Sequence, residues 1–236
     1  MPNQLKAGAI LTYVTLFLNS AIGLIYTPFL TLKLGQAEYG LYSLVASVVG
    51  SLTVLDFGFG NALIRYAAKL RAEKNEQKLK EMYGMFFIIF CGIALLALII
   101  GLVVYFNTEN IFSQNMTGEE LRKMKIMLLL MVFNLCFTFV MSVYRSIIVA
   151  YERFIFQKVI NLIRIVLNPL VMVIFLLFGY KAITMVVLQT IFNVLTLLAD
   201  YYYCKRKLNI QFVFGKFDSA FLKEVSLYSF WIFLNA

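Results

Sequence analysis

The chain of 236 residues contains no histidine. Histidine is the side chain that most often moves protons near neutral pH and the commonest metal ligand. Without it, Cys/His zinc sites, haem ligation by His and His-dependent catalysis are all unsupported. Cysteine occurs three times, at Cys91, Cys136 and Cys204, each in or at the end of an apolar run. The number is odd and no CxxC spacing exists, so a disulfide framework is equally unsupported. Charged residues make up only 14% of the chain, against about 25% in soluble domains. No nucleophile–base pair, Gly-rich phosphate loop after a strand or metal motif is visible, so neither an enzyme activity nor a cofactor is expected.

What fills the space is apolar: 62% of residues. They come in runs of the ~20 residues that a bilayer-spanning helix needs. Six spans are expected, at about Ala7–Leu32, Tyr39–Ala62, Met82–Phe106, Ile126–Ala150, Val159–Phe178 and Ala182–Tyr203. The first is too long for the apolar core of a signal peptide and lacks a small-residue cleavage site, so it reads as a retained helix. Thr117 with Glu120 three residues on reads as a capping box opening the fourth helix. Leu63 to Lys80 reads as an interfacial helical extension of the second. Residues 205–224 read as a basic linker, and 225–236 as a seventh apolar run too short to span, so that the chain reads as the front of a longer protein or a truncated one. The fold class is all-α: a polytopic membrane protein with a six-helix lobe over residues 1–204.

The net charge of +9 belongs to this pattern. The basic residues sit at the ends of apolar runs, where they report orientation and anionic headgroups; nucleic acid is not an expected partner. Of 21 Lys and Arg, sixteen fall on the side of the N-terminus and five on the other. The positive-inside rule therefore assigns the N-terminus to the cytoplasm.

A few polar groups stand inside the spans. A carboxylate at membrane depth, Asp56, costs about 2.5–3.5 kcal/mol on insertion scales and must face protein or a wet cavity. It reads either as a cation-coupling or gating site or as a structural partner of an arginine on a neighbouring helix. Arg145 lies five residues inside the end of the fourth span and Arg164 six inside the start of the fifth. At ~1.5 Å per residue both are expected ~8–9 Å from the cytoplasmic face. Two guanidiniums at matched depth suit a diphosphate, whose oxygens fit the planar fork; snorkelling to the interface is the alternative. Arg65 lies at the interface. Asn168-Pro169 is expected to interrupt the fifth span, and Pro28 to kink or end the first. Each is a candidate hinge; a tolerated kink is the plainer reading. Asp200 is expected at the interface.

Three stretches carry a resemblance. They are YTPFL at Tyr26–Leu30, LGQAEYGLY at Leu34–Tyr42, and LDFGFGNA at Leu55–Ala62 followed by Arg65-Tyr66. With AYERF at Ala150–Phe154 and the Asn-Pro of the fifth span, the chain resembles the N-terminal half of the polysaccharide (O-antigen-type) flippases. These belong to the MATE-like multidrug/oligosaccharidyl-lipid/polysaccharide superfamily. The resemblance covers essentially the whole chain. It implies two six-helix bundles facing a central cavity in the bacterial cytoplasmic membrane. It implies ion-coupled export of undecaprenyl-diphosphate-linked oligosaccharide by alternating access. It also implies that cavity arginines meet the diphosphate, with Arg145, Arg164 and Arg65 the candidates by position. Polysaccharide polymerase and glycosyltransferases are the implied protein partners. Two other readings stay open: a cation-coupled drug or small-molecule exporter of the same fold, and a non-transporting scaffold for polysaccharide assembly.

Overall fold

The computed structural model of the chain describes residues 2–112, 116–215 and 219–234. The described residues are helical or irregular, with no strand among them. The helices are α1 (Pro2–Leu34), α2 (Gln36–Ser51), α3 (Phe59–Ala72), α4 (Glu76–Phe112), α5 (Gly118–Ala150), α6 (Phe154–Leu177), α7 (Ala182–Arg206) and α8 (Ser219–Leu234), with a 3₁₀ turn at Leu52–Asp56. Six stretches are long and apolar enough to cross a membrane, counting Gln36–Ala72 as one. The chain is a multi-pass membrane protein.

The helices overrun the expected spans because polar first and last turns satisfy their own backbone groups beyond the apolar stretch. α5 shows how. The Thr117 hydroxyl accepts from the Glu120 N–H at 3.4 Å, and the Glu120 carboxylate accepts from the Thr117 N–H at 2.8 Å. The expected capping box is therefore present. At the other end, Glu152 adopts φ 57° while the Arg153 N–H reaches the Ile148 carbonyl. This left-handed closure also ends α3, with Lys74 at φ 55°, and α6, with Gly179 at φ 85°. Residues 63–80 are thus not one helix: the chain turns at Lys74 and restarts at Glu76.

Two further expectations change. The second span is not continuous. After the 3₁₀ turn, Phe57 (φ 45°) and Gly58 (φ 76°) take left-handed conformations and re-aim α3. A Cβ on Gly58 would stand 3.3 Å from the Ser229 carbonyl of α8. Glycine is needed there for both the φ and the close approach. Conversely, α6 runs through Pro169 and α1 through Pro28 without interruption. Each proline removes one N–H from the ladder, a loss that membrane helices tolerate.

α5 is the central helix, packing against α4, α7, α3 and α2. Phe86, Phe90, Met127, Leu128, Val143 and Ile147 fill the main core. α1 packs chiefly on α6, and the pair has a small core of its own with α7: Leu30, Leu34, Met172, Leu176 and Met185. The linker is not free chain. The Phe212 ring lies 5.4 Å from that of Tyr144 and 5.6 Å from that of Phe87, and the Val213 N–H donates to the Lys80 carbonyl. α8 begins at Ser219, before the apolar run read from Val225. Below, the end holding the α3–α4 and α5–α6 turns is the basic end, and the opposite end is the far end.

The α4–α5 seam depends on Gly101, where a Cβ would stand 2.6 Å from both Val132 methyls. Small residues let membrane helices approach this closely. Gly101→Ala should lower stability by about 1–3 kcal/mol through overpacking. Adding Val132→Ala should recover most of it, as read by thermal unfolding in detergent.

Candidate functional site: a polar seam beneath the α1–α6 pair

Three neighbouring helices carry polar residues at helical spacing. On α5 they are Asn134, Thr138, Ser142 and Arg145; on α6 Gln157, Asn161, Arg164 and Asn168; on α7 Gln189, Asn193, Thr196 and Asp200. Residues at such steps share one face. The α5 and α7 stripes meet. The Asn193 amide donates to Asn134 Oδ1 at 2.8 Å and to Thr138 Oγ1 at 2.7 Å. These groups line a cavity of about 200 Å³, closed by Thr53 and Gly50 from the α2 end, Gln189 and Thr190 from α7, and Arg164 from α6. Towards the far end the Tyr42 hydroxyl donates to Gln189 Oε1 at 2.9 Å, and the Tyr26 hydroxyl to Met172 Sδ.

Arg164 is the cation of this cavity. Because α6 begins at Phe154, Arg164 sits ten residues in, ~15 Å along the axis. The matched depth expected for the two arginines is not found. Gln157 Nε2 donates to the Arg145 carbonyl at 2.7 Å, which sets Arg145 level with Gln157. Arg164 follows Gln157 by two turns, ~10 Å deeper. Arg145 stands within electrostatic reach of both Arg164 and Asp200, and among the described residues it forms no ion pair with Asp200. Asp200, six residues before the end of α7, is 3% exposed and so is buried among the helices. The neighbouring Tyr144 and Tyr201 rings meet at 5.1 Å. From the basic end inward the seam therefore holds Arg145 with Asp200, then Arg164, then the amide cluster.

The other candidates lie elsewhere. Arg65 has its guanidinium 4.2 Å from the Tyr228 ring centre on α8, and its described partners are Tyr66, Tyr228 and Glu224. Asp56 ends the 3₁₀ turn, half-buried, with the Gly58 N–H as a hydrogen-bond donor. Among the described residues no ion pair includes it: the pairs are Lys123 with Glu38 and Glu119, and Lys125 with Glu109, all towards the far end. The expected alternative of an arginine partner is therefore replaced by a backbone donor. Asn168 Oδ1 is buried with no donor among the described residues. Pro28 is exposed on α1.

Sequence reasoning passed over Asn134, Thr138, Gln189 and Asn193. Their signal is the repeated helical spacing of neutral amides and hydroxyls, weaker than that of a charge because a neutral amide costs less to bury.

Against this geometry stands one family comparison. The family model described as "Polysaccharide biosynthesis protein" matches residues 5–236. The chain belongs to the polysaccharide biosynthesis protein family. The family is of a transporter or flippase type, and membership supports a role of that kind in polysaccharide biosynthesis. No curated protein and no solved structure shows significant similarity to the chain. The polar seam of this family member is therefore described from its own residues.

A wet cavity can be tested with thiols. In a background with Cys91, Cys136 and Cys204 changed to Ser, Gln189→Cys should react with a water-soluble methanethiosulfonate at least about tenfold faster than Leu195→Cys. Leu195 is exposed on another face of α7, and the thiolate that reacts forms in water, not in acyl chains. Equal, slow labelling at both positions would mean a dry cavity.

Proposed function

We propose that the protein moves undecaprenyl-diphosphate-linked oligosaccharide from the cytoplasmic to the outer leaflet of the bacterial cytoplasmic membrane, with the basic end of the bundle in the cytoplasm. The observation that carries this reading is Arg164, a cation ~15 Å along its helix in a cavity where it meets the amides of Asn134, Gln189 and Asn193 and the hydroxyls of Thr53, Thr138 and Thr190, among apolar walls of Ala46, Val49, Met131, Leu135 and Val186. An anionic, hydroxyl-rich head group needs those two chemistries together. The planar guanidinium matches phosphate oxygens bidentately. The amides of Asn134, Gln189 and Asn193 replace water around sugar hydroxyls. The lipid tail stays in the bilayer throughout.

In this reading Arg145 receives the diphosphate first. It is exposed and level with the first turn of α6, and Asp200 competes with the incoming anion for it. Arg164 takes the anion next. Arg65, turned towards α8, acts on headgroups at the interface rather than in the seam. Asp56, at the break in the second span, is the candidate for ion coupling. Pro169 deprives the Ile165 carbonyl of its usual donor, one residue after Arg164, which makes Asn168-Pro169 a hinge beside the cation; Pro28 is the matching candidate on α1. Polymerase and glycosyltransferases would meet the protein at its two faces. A drug exporter of the same fold is less well supported, because an arginine in the cavity disfavours lipophilic cations.

Arg164→Ala should reduce surface polysaccharide at least about tenfold, since hydrogen bonds to charged groups are worth ~1.5–3 kcal/mol. Arg145→Ala should cost less, and Arg164→Lys should fall between, because a point charge replaces a fork. Each is compared in cells at equal amounts of membrane-inserted protein. Undiminished polysaccharide in a strain carrying both alanine changes would overturn the reading.

A further inference from the structure

A larger cavity, of about 430 Å³, opens at the basic end, away from the seam. Its walls are the end of α3, the start of α4 and the linker residues Leu208 to Gln211. Three cations line it, Arg71, Lys74 and Lys80, with one carboxylate, Glu76. Arg71 is fixed in place: it donates to the Ala150 carbonyl, and its guanidinium lies 3.9 Å from the Tyr151 ring centre. The amides of Asn75, Asn209 and Gln211 and the Tyr83 side chain, 1% exposed, complete the lining.

The backbone singles out this cavity. Among the described residues four non-glycine residues take positive φ, and two of them, Lys74 and Asn209, line it. Lys74 occupies the left-handed position that closes α3, where a Cβ is disfavoured and glycine is the usual solution. The same closure on α6, at the far end, uses Gly179. On α5 it uses Glu152, so a charged residue stands at this position in two of the three closures, and at the end of α3 it sets Lys74 at the mouth of the cationic cavity.

We propose that this cavity binds a phosphate ester bearing hydroxyl groups, whether the polyol headgroup of an anionic lipid or a soluble sugar phosphate. Lys74 and Lys80 meet the phosphate as mobile point charges beside the fixed Arg71 guanidinium. Asn75, Asn209 and Gln211 take the hydroxyls. The linker, anchored through Phe212 and Val213, forms one wall, so a ligand here also ties the end of α7 to the α3–α4 turn.

The test uses the full chain in phosphatidylcholine nanodiscs. One arm titrates glucose 1-phosphate by calorimetry; the other adds phosphatidylglycerol to the discs and counts retained lipid by native mass spectrometry. Saturable binding in the first arm identifies a soluble ligand, and stoichiometric retention only in the second identifies a lipid headgroup; either supports the site. Lys80→Gln and Lys74→Gly should each weaken the binding about fivefold or more, while Lys78→Gln, which removes the same charge outside the cavity, should change it less than about twofold. Lys74→Gly should at the same time leave the melting temperature equal or higher, since glycine relieves the backbone. Failure to bind in both arms, or equal losses for Lys78→Gln and Lys80→Gln, overturns the proposal.

Discussion

A polar side chain in the middle of a bilayer has to find its partner inside the protein, and Asn193 finds two. Its amide reaches Asn134 and Thr138 on α5 from α7. Lipid chains are as apolar as leucine, so burying apolar side chains between membrane helices brings little net drive. What fixes α7 against α5 is this bond set together with close packing. The same constraint explains why so much apolar surface stays outward: Tyr13, Phe17, Leu24 and Ile25 on α1 are all largely exposed. In hydrocarbon that exposure costs nothing, whereas turning the α5 and α7 stripes outward would leave amides without partners.

The polar requirement also divides the lobe. One body is built around α5; the other is the α1–α6 pair, which has its own small core near the far end. The seam of amides and arginines runs between them, closed at the far end by Leu30, Met172 and Met185 and crossed at the basic end by the Gln157–Arg145 bond. A groove needs two walls that do not fuse, and polar stripes facing each other provide them. Arg164 belongs to the smaller body and the amide cluster to the larger, so relative motion of the two would change the distance between cation and amides.

Most of the bundle was legible in the sequence, because long apolar runs carry no competing interpretation. The errors have local causes. Hydropathy marks where a run is apolar, not where hydrogen bonding ends, so the apolar span from Met82 lies inside a helix that already begins at Glu76. The level of Arg164 relative to Arg145 depends on how α5 and α6 register, which the Gln157–Arg145 bond sets and the sequence does not show. The break at Phe57-Gly58 is invisible to hydropathy, as both residues are apolar; the clue was a glycine directly after Asp-Phe. At Asn168-Pro169 the plainer of the two readings holds, since a proline removes one bond and a long membrane helix survives that. The amide stripes were readable at their spacing, yet a neutral amide costs less to bury than a charge and drew less weight. The basic-end cavity was not readable, because it joins residues near position 75 to others near 210.

The charges of the seam bear on how tightly the head group is held. Arg145, Arg164 and the Asp200 carboxylate together carry +1. A diphosphate carries about two negative charges, so head group and seam together would keep a net charge of about −1. An inside-negative potential drives the charge carried across outward by ~2.3 kcal/mol per charge per 100 mV, and side chains that return to their places with each cycle leave that drive unchanged. Two arginines without a counter-charge would neutralise the head group and also hold it more tightly, slowing release. Asp200 therefore has one role in the proposed cycle: it weakens the first cation as a trap.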